Sequence, residues 1–595
     1  MLISLSLILA FCLPCAAADR PLIAVPDPAA PLPAETARQS AERHAAVARA
    51  RAGTILLLHK GFTEHATENT LASIRLAFDL GCEAVELDFR RTRDGTIVLM
   101  HDERLEHRLD VFGGIEDFCY EELLLAGPRD RPAGDPTARI PTLKDVLRLL
   151  RDRAGLVQLD LKTPGLDATL MAELGRADML DHVLGFNNDN AEAFRKAAVP
   201  GIAFKGTLLG SRADMRPAAI QSLLTRPGQV LFLDDPRAAL TLLGKPIRRA
   251  VPQAVEPLGT VPPWPPGPLE AVLLGRAKEI PIRQAAARLA ISCPGRFVEL
   301  AAELARRPDV ETRRATAWNL GMIAKHRPEA IDEPCRRALL DLLGDPSMPV
   351  RAEAAIACGR AKLAAALPAL LRTMIDPHAT DEGREPSRGV LLECRGRYAF
   401  ALGVLGDRSP AVARALMKTF EYREAGPNRM WLGDDGAMAA WALGELKIAE
   451  AVPLLRKALL WEPPAGWQES DDDGPPRWLV YWDLQVPRFV PRALLRIGGG
   501  EAAEALDAVL RLSAKEAARR SPELLAETAD ARARFPAEDR PALLSRLVTA
   551  DVPQLHGAAV AECLRQSGPA YRSLLAVHAR WAVPWWDVQH GAPRP

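Results

Sequence analysis

The chain has 595 residues, more than one hydrophobic core usually organises, so two or more domains are expected. Hydrophobic residues make up 48% and charged residues 26%, which suits soluble globular domains. Lys plus Arg and Asp plus Glu each total 76, so no excess charge points to nucleic acid or an anionic membrane as the main partner, and recognition must be local.

The first residues, MLISLSLILAFCLPCAAADR, read as a secretory signal over residues 1–18, with an apolar core from Leu2 to Leu13 and a cleavage motif at Ala16-Ala17-Ala18. The run is too short to span a bilayer, and no other segment approaches a transmembrane helix, so export to the periplasm or exterior is expected. A lipid anchor at Cys15 is the weaker reading, because Leu13-Pro14 is a poor lead-in to a lipidated cysteine. Cys82, Cys119, Cys293, Cys335, Cys358, Cys394 and Cys563 are scattered without metal-ligand clustering, as small core residues are.

Residues 19–50, rich in Pro and Ala, read as a linker with a short helix, AERHAAVARARAG, running on past their end. Over residues 51–254 short apolar strands alternate with amphipathic helices. The strands are TILLL, EAVELD, TIVLMH, LVQLDL, HVLGF, GIAFKG and QVLFLD; the helices include Thr70 to Leu80 and Leu143 to Leu150. This alternation predicts parallel β/α units closed into a (β/α)8-type TIM barrel. Only some twenty residues separate GIAFKG from QVLFLD, with no visible strand between them, so the barrel is expected to be abbreviated there.

VEPLGTVPPWPPGPLE, residues 255–270, is a proline-rich linker, and beyond it the chain turns Ala, Leu and Arg rich with helical periodicity. RRATAWNLG, RAEAAIACG, RGRYAFALG, GAMAAWALG and VPRALLRIG end at Gly321, Gly359, Gly403, Gly444 and Gly498. Ala317, Ala355, Ala399 and Ala440 stand one helical turn before the first four of these glycines, where small side chains permit close helix packing. Such units must stack to bury their apolar faces, so residues 271–570 are expected to form an all-α solenoid, followed by a Trp- and Pro-rich tail at 571–595. The pattern resembles HEAT-type repeats. The insert WEPPAGWQESDDDGPPRWLVYWD reads as an ordered loop packed on the solenoid.

In a parallel barrel the C-terminal ends of the strands share one mouth, where such folds carry their chemistry. His59 follows ILLL, Glu86 and Asp88 end AVELD on one side of their strand, His101 ends IVLM and Asp160 ends LVQL. The three carboxylates offer hard oxygen ligands to Mg²⁺ or Ca²⁺, and the two histidines an acid and a base. His65 and His107 lie in loops and have no such positional support.

His59-Lys60-Gly61, Glu68-Asn69-Thr70-Leu71, VELDFRRTRDGTIVLMHDERL, IPTLKDVL and QLDLK, in that order, resemble the motifs of the glycerophosphodiester phosphodiesterase family, and LFLDDP resembles its last barrel strand. The resemblance covers residues 54 to 240. It implies that Glu86, Asp88 and Asp160 hold a divalent cation, although the family more often has Glu where Asp160 stands. It further implies that His59 and His101 are the acid/base pair, that Lys60 and Lys162 lie near the substrate phosphate, and that Glu68 and Asn69 support the site. Glu68 also precedes a helix, where a carboxylate favours the dipole. The family usually reads His-Arg-Gly, and Lys60 keeps the charge but loses the two-pronged geometry of arginine.

The expected function is cleavage of glycerophosphodiesters to glycerol 3-phosphate and an alcohol, in the metabolism of lipid-derived phosphodiesters, with the repeats binding a protein partner. A phospholipase-type phosphodiesterase would need exposed apolar loops at the mouth, for which GGIEDFCY, residues 113–120, is a candidate. A decayed barrel serving as an exported scaffold would have lost ligands and acid/base groups, yet all five stand in this sequence.

Overall fold

The computed structural model describes residues 20–63, 66–127, 139–186, 192, 203–204, 229–233, 236–245, 260–375, 388–421, 434–460, 489–512 and 522–535. The signal segment, the Trp-bearing insert, the C-terminal tail, His65 and Cys563 lie outside these residues, as does the interval between the GIAFKG and QVLFLD strands. The chain divides into two compact units: Pro26–Thr260 with Val452–Pro595, and Val261–Ala451 with Met1–Val25. The break at residues 260–261 falls inside the proline-rich segment.

In the first unit the elements run α1 (Ala37–Ala52), β1 (Ile55–His59), α2 (Leu71–Leu80), β2 (Ala84–Arg91), β3 (Ile97–Leu99), α3 (Tyr120–Leu125), α4 (Leu143–Asp152), β4 (Leu156–Leu161), α5 (Asp167–Arg176), β5 (Val183–Phe186), β6 (Ala203–Phe204), β7 (Val230–Leu233) and α6 (Arg237–Leu242). Six strands form a parallel sheet in the order β6-β5-β4-β2-β1-β7, a half-barrel in which the first strand pairs with the last. Ile55 to Leu58 are all buried, which is why β1 reads as an unbroken apolar run: a parallel strand is covered on both faces. Helices α2 and α4 start where Thr70 and Thr142 accept a hydrogen bond from the amides of Ser73 and Asp145, both at 3.2 Å, and Gly81 ends α2 at φ 107°.

One expectation changes. The TIVLMH run is not a barrel strand: β3 pairs antiparallel with β2, in the register Phe89↔Leu99, so β2 and β3 form a hairpin across Asp94-Gly95. The short helix expected before the barrel is present and also packs on the sheet. Helix α1, capped by Thr36, buries Val47 against Ile55, Leu57, Ala84, Leu156 and Leu184, which lie at the starts of four strands.

The second unit is helical. Val310–His326, Met348–Arg360, Arg388–Leu405 and Asp434–Glu445 pack in succession, as a solenoid requires. The repeat glycines sit at the closest approaches. A Cβ on Gly321 would lie 3.1 Å from Ala357 Cα, one on Gly359 2.6 Å from the Ala401 carbonyl oxygen, and one on Gly403 2.7 Å from the Trp441 ring. Gly498, in the first unit, differs: it follows a helix at φ 75°, so it ends an element instead of seating a neighbour. Among the described residues no disulfide is formed, and Cys82, Cys119, Cys335 and Cys358 are buried as small core side chains. No helix among them is long and apolar enough to cross a membrane.

Candidate active site

Strands β1, β2 and β4 are neighbours, with His59 opposite Glu86 and Asp88 opposite Asp160. The period of two sends Glu86 and Asp88 to the same side of β2. As a result, one ligand atom each from Glu86, Asp88 and Asp160 lies within 4.8 Å of the others. His59 Nε2 stands 4.0 Å from Glu86 Oε2, and its ring meets Phe232 of β7 edge to face at 5.3 Å. Lys162, just past β4, donates to Asp160 Oδ2 at 2.8 Å and forms an ion pair with Asp88 Oδ1 at 3.3 Å.

The loop after β1 is shaped by its backbone. Lys60, Gly61 and Asn69 all have left-handed φ, at 58°, 81° and 55°. Gly61 has no substitute, because a Cβ there would lie 2.7 Å from the Ser73 backbone. The fold of the loop returns Asn69 to the sheet, where its side chain donates to Asp88 Oδ2 at 2.8 Å and accepts from the Asp88 amide at 3.1 Å. Lys60 is buried: its amide donates to Glu86 Oε2 at 3.2 Å and its ammonium pairs with Glu68 Oε1 at 3.4 Å.

His101 lies on the loop after the β2–β3 hairpin and not on a barrel strand, with its carbonyl held by Arg90 at 2.9 Å. Its Nδ1 contacts Asp102 Oδ1 at 2.8 Å. Arg108 bridges Asp102 Oδ2 at 3.3 Å and Glu68 Oε2 at 2.8 Å. All nine residues singled out in the sequence therefore belong to one network: His59, Lys60, Glu68, Asn69, Glu86, Asp88, His101, Asp160 and Lys162.

Electrostatically the centre is short of positive charge. Burial, then the charges of Asp88 and Asp160, push the Glu86 carboxyl well above the ordinary carboxylate range. Burial works to lower Lys162, but the Asp88 charge and the bond to Asp160 outweigh it and hold the ammonium above its ordinary value. Asp88 Oδ1 is buried, with the Lys162 ammonium 3.3 Å away. Three clustered carboxylates, two of them buried, are the donor set that a hard divalent cation fits.

Residues 59–206 match the model of the glycerophosphoryl diester phosphodiesterase family, and residues 297–385 match that of HEAT repeats. The chain joins a glycerophosphodiesterase-family domain to helical repeats. A glycerophosphodiester phosphodiesterase of Caldanaerobacter subterraneus subsp. tengcongensis is 31% identical over 156 residues, 24% of this chain and 63% of the relative. One from Bacillus altitudinis is 29% identical over 153 residues, 24% of this chain and 62% of its own length. The chain thus spans less than two thirds of these relatives. Among solved structures, an Oleispira antarctica phosphodiesterase in complex with the product sn-glycerol-3-phosphate is 29% identical, with a TM-score of 0.22, covering 26% of this chain and 65% of that one. A glycerophosphodiester phosphodiesterase from Agrobacterium tumefaciens is 20% identical, with a TM-score of 0.27, covering 31% of this chain and 98% of that one.

Within the glycerophosphodiesterase-family domain, sequence reasoning missed Asp102 and Arg108. Asp102 is the immediate neighbour of His101 and was within reach of the pattern; Arg108 is delivered by a 3-10 turn, Leu105–His107, which leaves no periodic signature. The GGIEDFCY segment also differs from expectation. Ile115, Phe118 and Tyr120 are each only 1% exposed, so its apolar side chains enter the core and give no lipid-facing loop. Its Glu116 instead accepts from Thr163 at 3.0 Å, tying the segment to the end of β4.

Proposed function

We propose that the barrel is a metal-dependent phosphoric diester hydrolase that cleaves glycerophosphodiesters to glycerol 3-phosphate and an alcohol. The observation that supports this reading most directly is the cluster of Glu86, Asp88 and Asp160, with His59 beside it and Lys162 across it. Glu86, Asp88 and Asp160 would hold Mg²⁺ or Ca²⁺, which when bound neutralises charge developing on the non-bridging phosphate oxygens. Lys162 contributes a fixed positive charge to the same end. One of His59 and His101 takes the proton from the attacking hydroxyl or water, the phosphorus–oxygen bond to the alcohol breaks, and the other histidine returns a proton to the leaving alkoxide. Asp102 occupies His101 Nδ1, leaving Nε2 as the nitrogen that exchanges the proton.

Export through the N-terminal apolar segment and recruitment of a protein partner by the repeats complete the proposal. The test is release of glycerol 3-phosphate from glycerophosphocholine by the full chain with added Mg²⁺ or Ca²⁺. Loss of turnover in strong chelator and its return on adding the ion are expected; full activity in chelator would remove the metal from the reading.

A further inference from the structure

We propose that Arg108 is a positioning residue of this reaction, a guanidinium bracket that sets His101 through Asp102 and Lys60 through Glu68. The inference rests on the proposed acid/base role of His101 and goes beyond it to what holds that imidazole in place.

Four contacts form a continuous chain. His101 Nδ1 meets Asp102 Oδ1 at 2.8 Å, Asp102 Oδ2 meets Arg108 Nε at 3.3 Å, Arg108 Nη2 meets Glu68 Oε2 at 2.8 Å, and Glu68 Oε1 meets Lys60 Nζ at 3.4 Å. Each carboxylate gives one oxygen to the arginine and the other to a site residue. Asp102 and Glu68 belong to loops 34 residues apart, so the bracket joins the loop after β1 to the loop after β3. Such a joint matters because the His101 side chain is 38% exposed and has little packing of its own to select a rotamer.

Arg108 itself is well anchored. Its amide donates to the Leu105 carbonyl at 2.9 Å, and Leu105 and Leu109 on either side are buried. The fully buried Glu106 accepts from the Gly113 amide at 3.0 Å and from Arg104 at 2.5 Å, which fixes the turn. A planar guanidinium engages two carboxylates in a fixed relative orientation, whereas a lysine at the same position would offer one freely rotating ammonium. Small misplacements of an acid/base group are costly in rate because they remove the productive geometry before chemistry begins.

Steady-state turnover of glycerophosphocholine by the full chain with Mg²⁺ tests this. Arg108→Gln is expected to lower kcat about 100-fold with KM within about threefold. Arg108→Lys should recover only part of that loss. Because the two act as a unit, Arg108→Gln combined with Asp102→Asn should be no worse than about threefold below the poorer single variant. Unchanged kcat in Arg108→Gln, a loss confined to KM, full recovery by lysine or multiplicative losses in the double variant would each overturn the proposal. If Arg108→Gln does not fold, Asp102→Asn against wild type, read as the same split between kcat and KM, decides it. His101→Ala separates the two levels: full turnover there defeats the acid/base reading itself, while an inactive His101→Ala beside a fully active Arg108→Gln defeats only the bracket.

Discussion

The two ends of the half-barrel sheet carry similar residues in opposite states. At the strand starts, α1 brings Arg43 and His44 against Asp178, Asp181 and His182; at the strand ends, His59 and Lys162 stand against Glu86, Asp88 and Asp160. The lower cluster sets each charge beside its opposite, although Asp181 Oδ1 is also buried without a hydrogen bond. Arg43 is spread over Glu35, the Asp178 carbonyl and His182 Nε2, at 2.9, 2.8 and 3.1 Å. His182 uses both ring nitrogens, with Nδ1 on the Gly155 carbonyl at 2.7 Å. The upper cluster brings Glu86, Asp88 and Asp160 within 4.8 Å of one another and forces the Glu86 carboxyl high. Composition does not distinguish the two ends; the crowding of like charge does. Charge set beside its opposite fixes structure, and like charge crowded in a buried site is held by the fold for something that binds.

The sharpest way to break this contrast is Glu86→Gln. Removing one of three mutually repelling carboxylates while keeping an oxygen for the Lys60 amide should cost at least about 1000-fold in turnover. The melting temperature should hold or rise, because a buried like-charge contact is relieved. Turnover assays and a thermal melt read both halves; a large fall in stability with activity retained would mean that the upper cluster is structural after all.

The base offers the next effect, through His182. Burial is the first cause of its depressed pKa, about 4, and the hydrogen-bond pattern agrees: a neutral ring donating from Nδ1 can accept from Arg43 at Nε2, and a protonated one cannot. Below its unfolded value near 6.5 the undocked state binds the proton that the docked state refuses. The docked state therefore weakens progressively from pH 6.5 to about 4, by on the order of 2–3 kcal/mol. His44 works on the other side. Hydrogen bonds to Asp181 and then Asp178 raise its pKa, so its contribution is complete below 6.5 and is lost as pH climbs through the raised value. Protection of the α1 amides in hydrogen exchange should thus peak near pH 6.5, and His182→Gln should flatten the acid side.

Much of this was legible in the sequence, for physical reasons that also mark its limits. Strands β1, β2 and β4 announce themselves because burial on both faces demands an unbroken apolar run, and the carboxylates stand out as polar interruptions at the ends of those runs. Direction is a different matter. IVL is as apolar as a barrel strand, and only the Asp94-Gly95 pair before it signals a hairpin, with Gly95 at φ 86°. Helix α1 is legible as a helix but not as part of the core, because its buried residues are only Arg43 and Val47, and an arginine does not look like a core position until its partners are assembled from elsewhere. Arg108 escapes for the same reason: its two carboxylate partners are 40 and 6 residues away, joined by loops with no periodicity.

The smallest effect concerns Lys60, the residue at which the chain departs from the family's His-Arg-Gly. The family resemblance implies that this lysine lies near the substrate phosphate. In the fold its side chain is only 8% exposed, its ammonium lies against Glu68, and its amide and carbonyl hold Glu86 and Asn69. A group committed to the frame of the loop has little charge left over for substrate. Arg108, with two carboxylates aligned by its planar fork, already supplies a guanidinium to the same loop. Lys60→Arg would therefore exchange one pairing with Glu68 for another, and turnover of glycerophosphocholine should change by less than about fivefold, with KM moving no more. A rise of tenfold or more in kcat/KM would instead place position 60 on the substrate, and the contrast between framing residues and reacting residues at the upper end of the sheet would have to be redrawn around it.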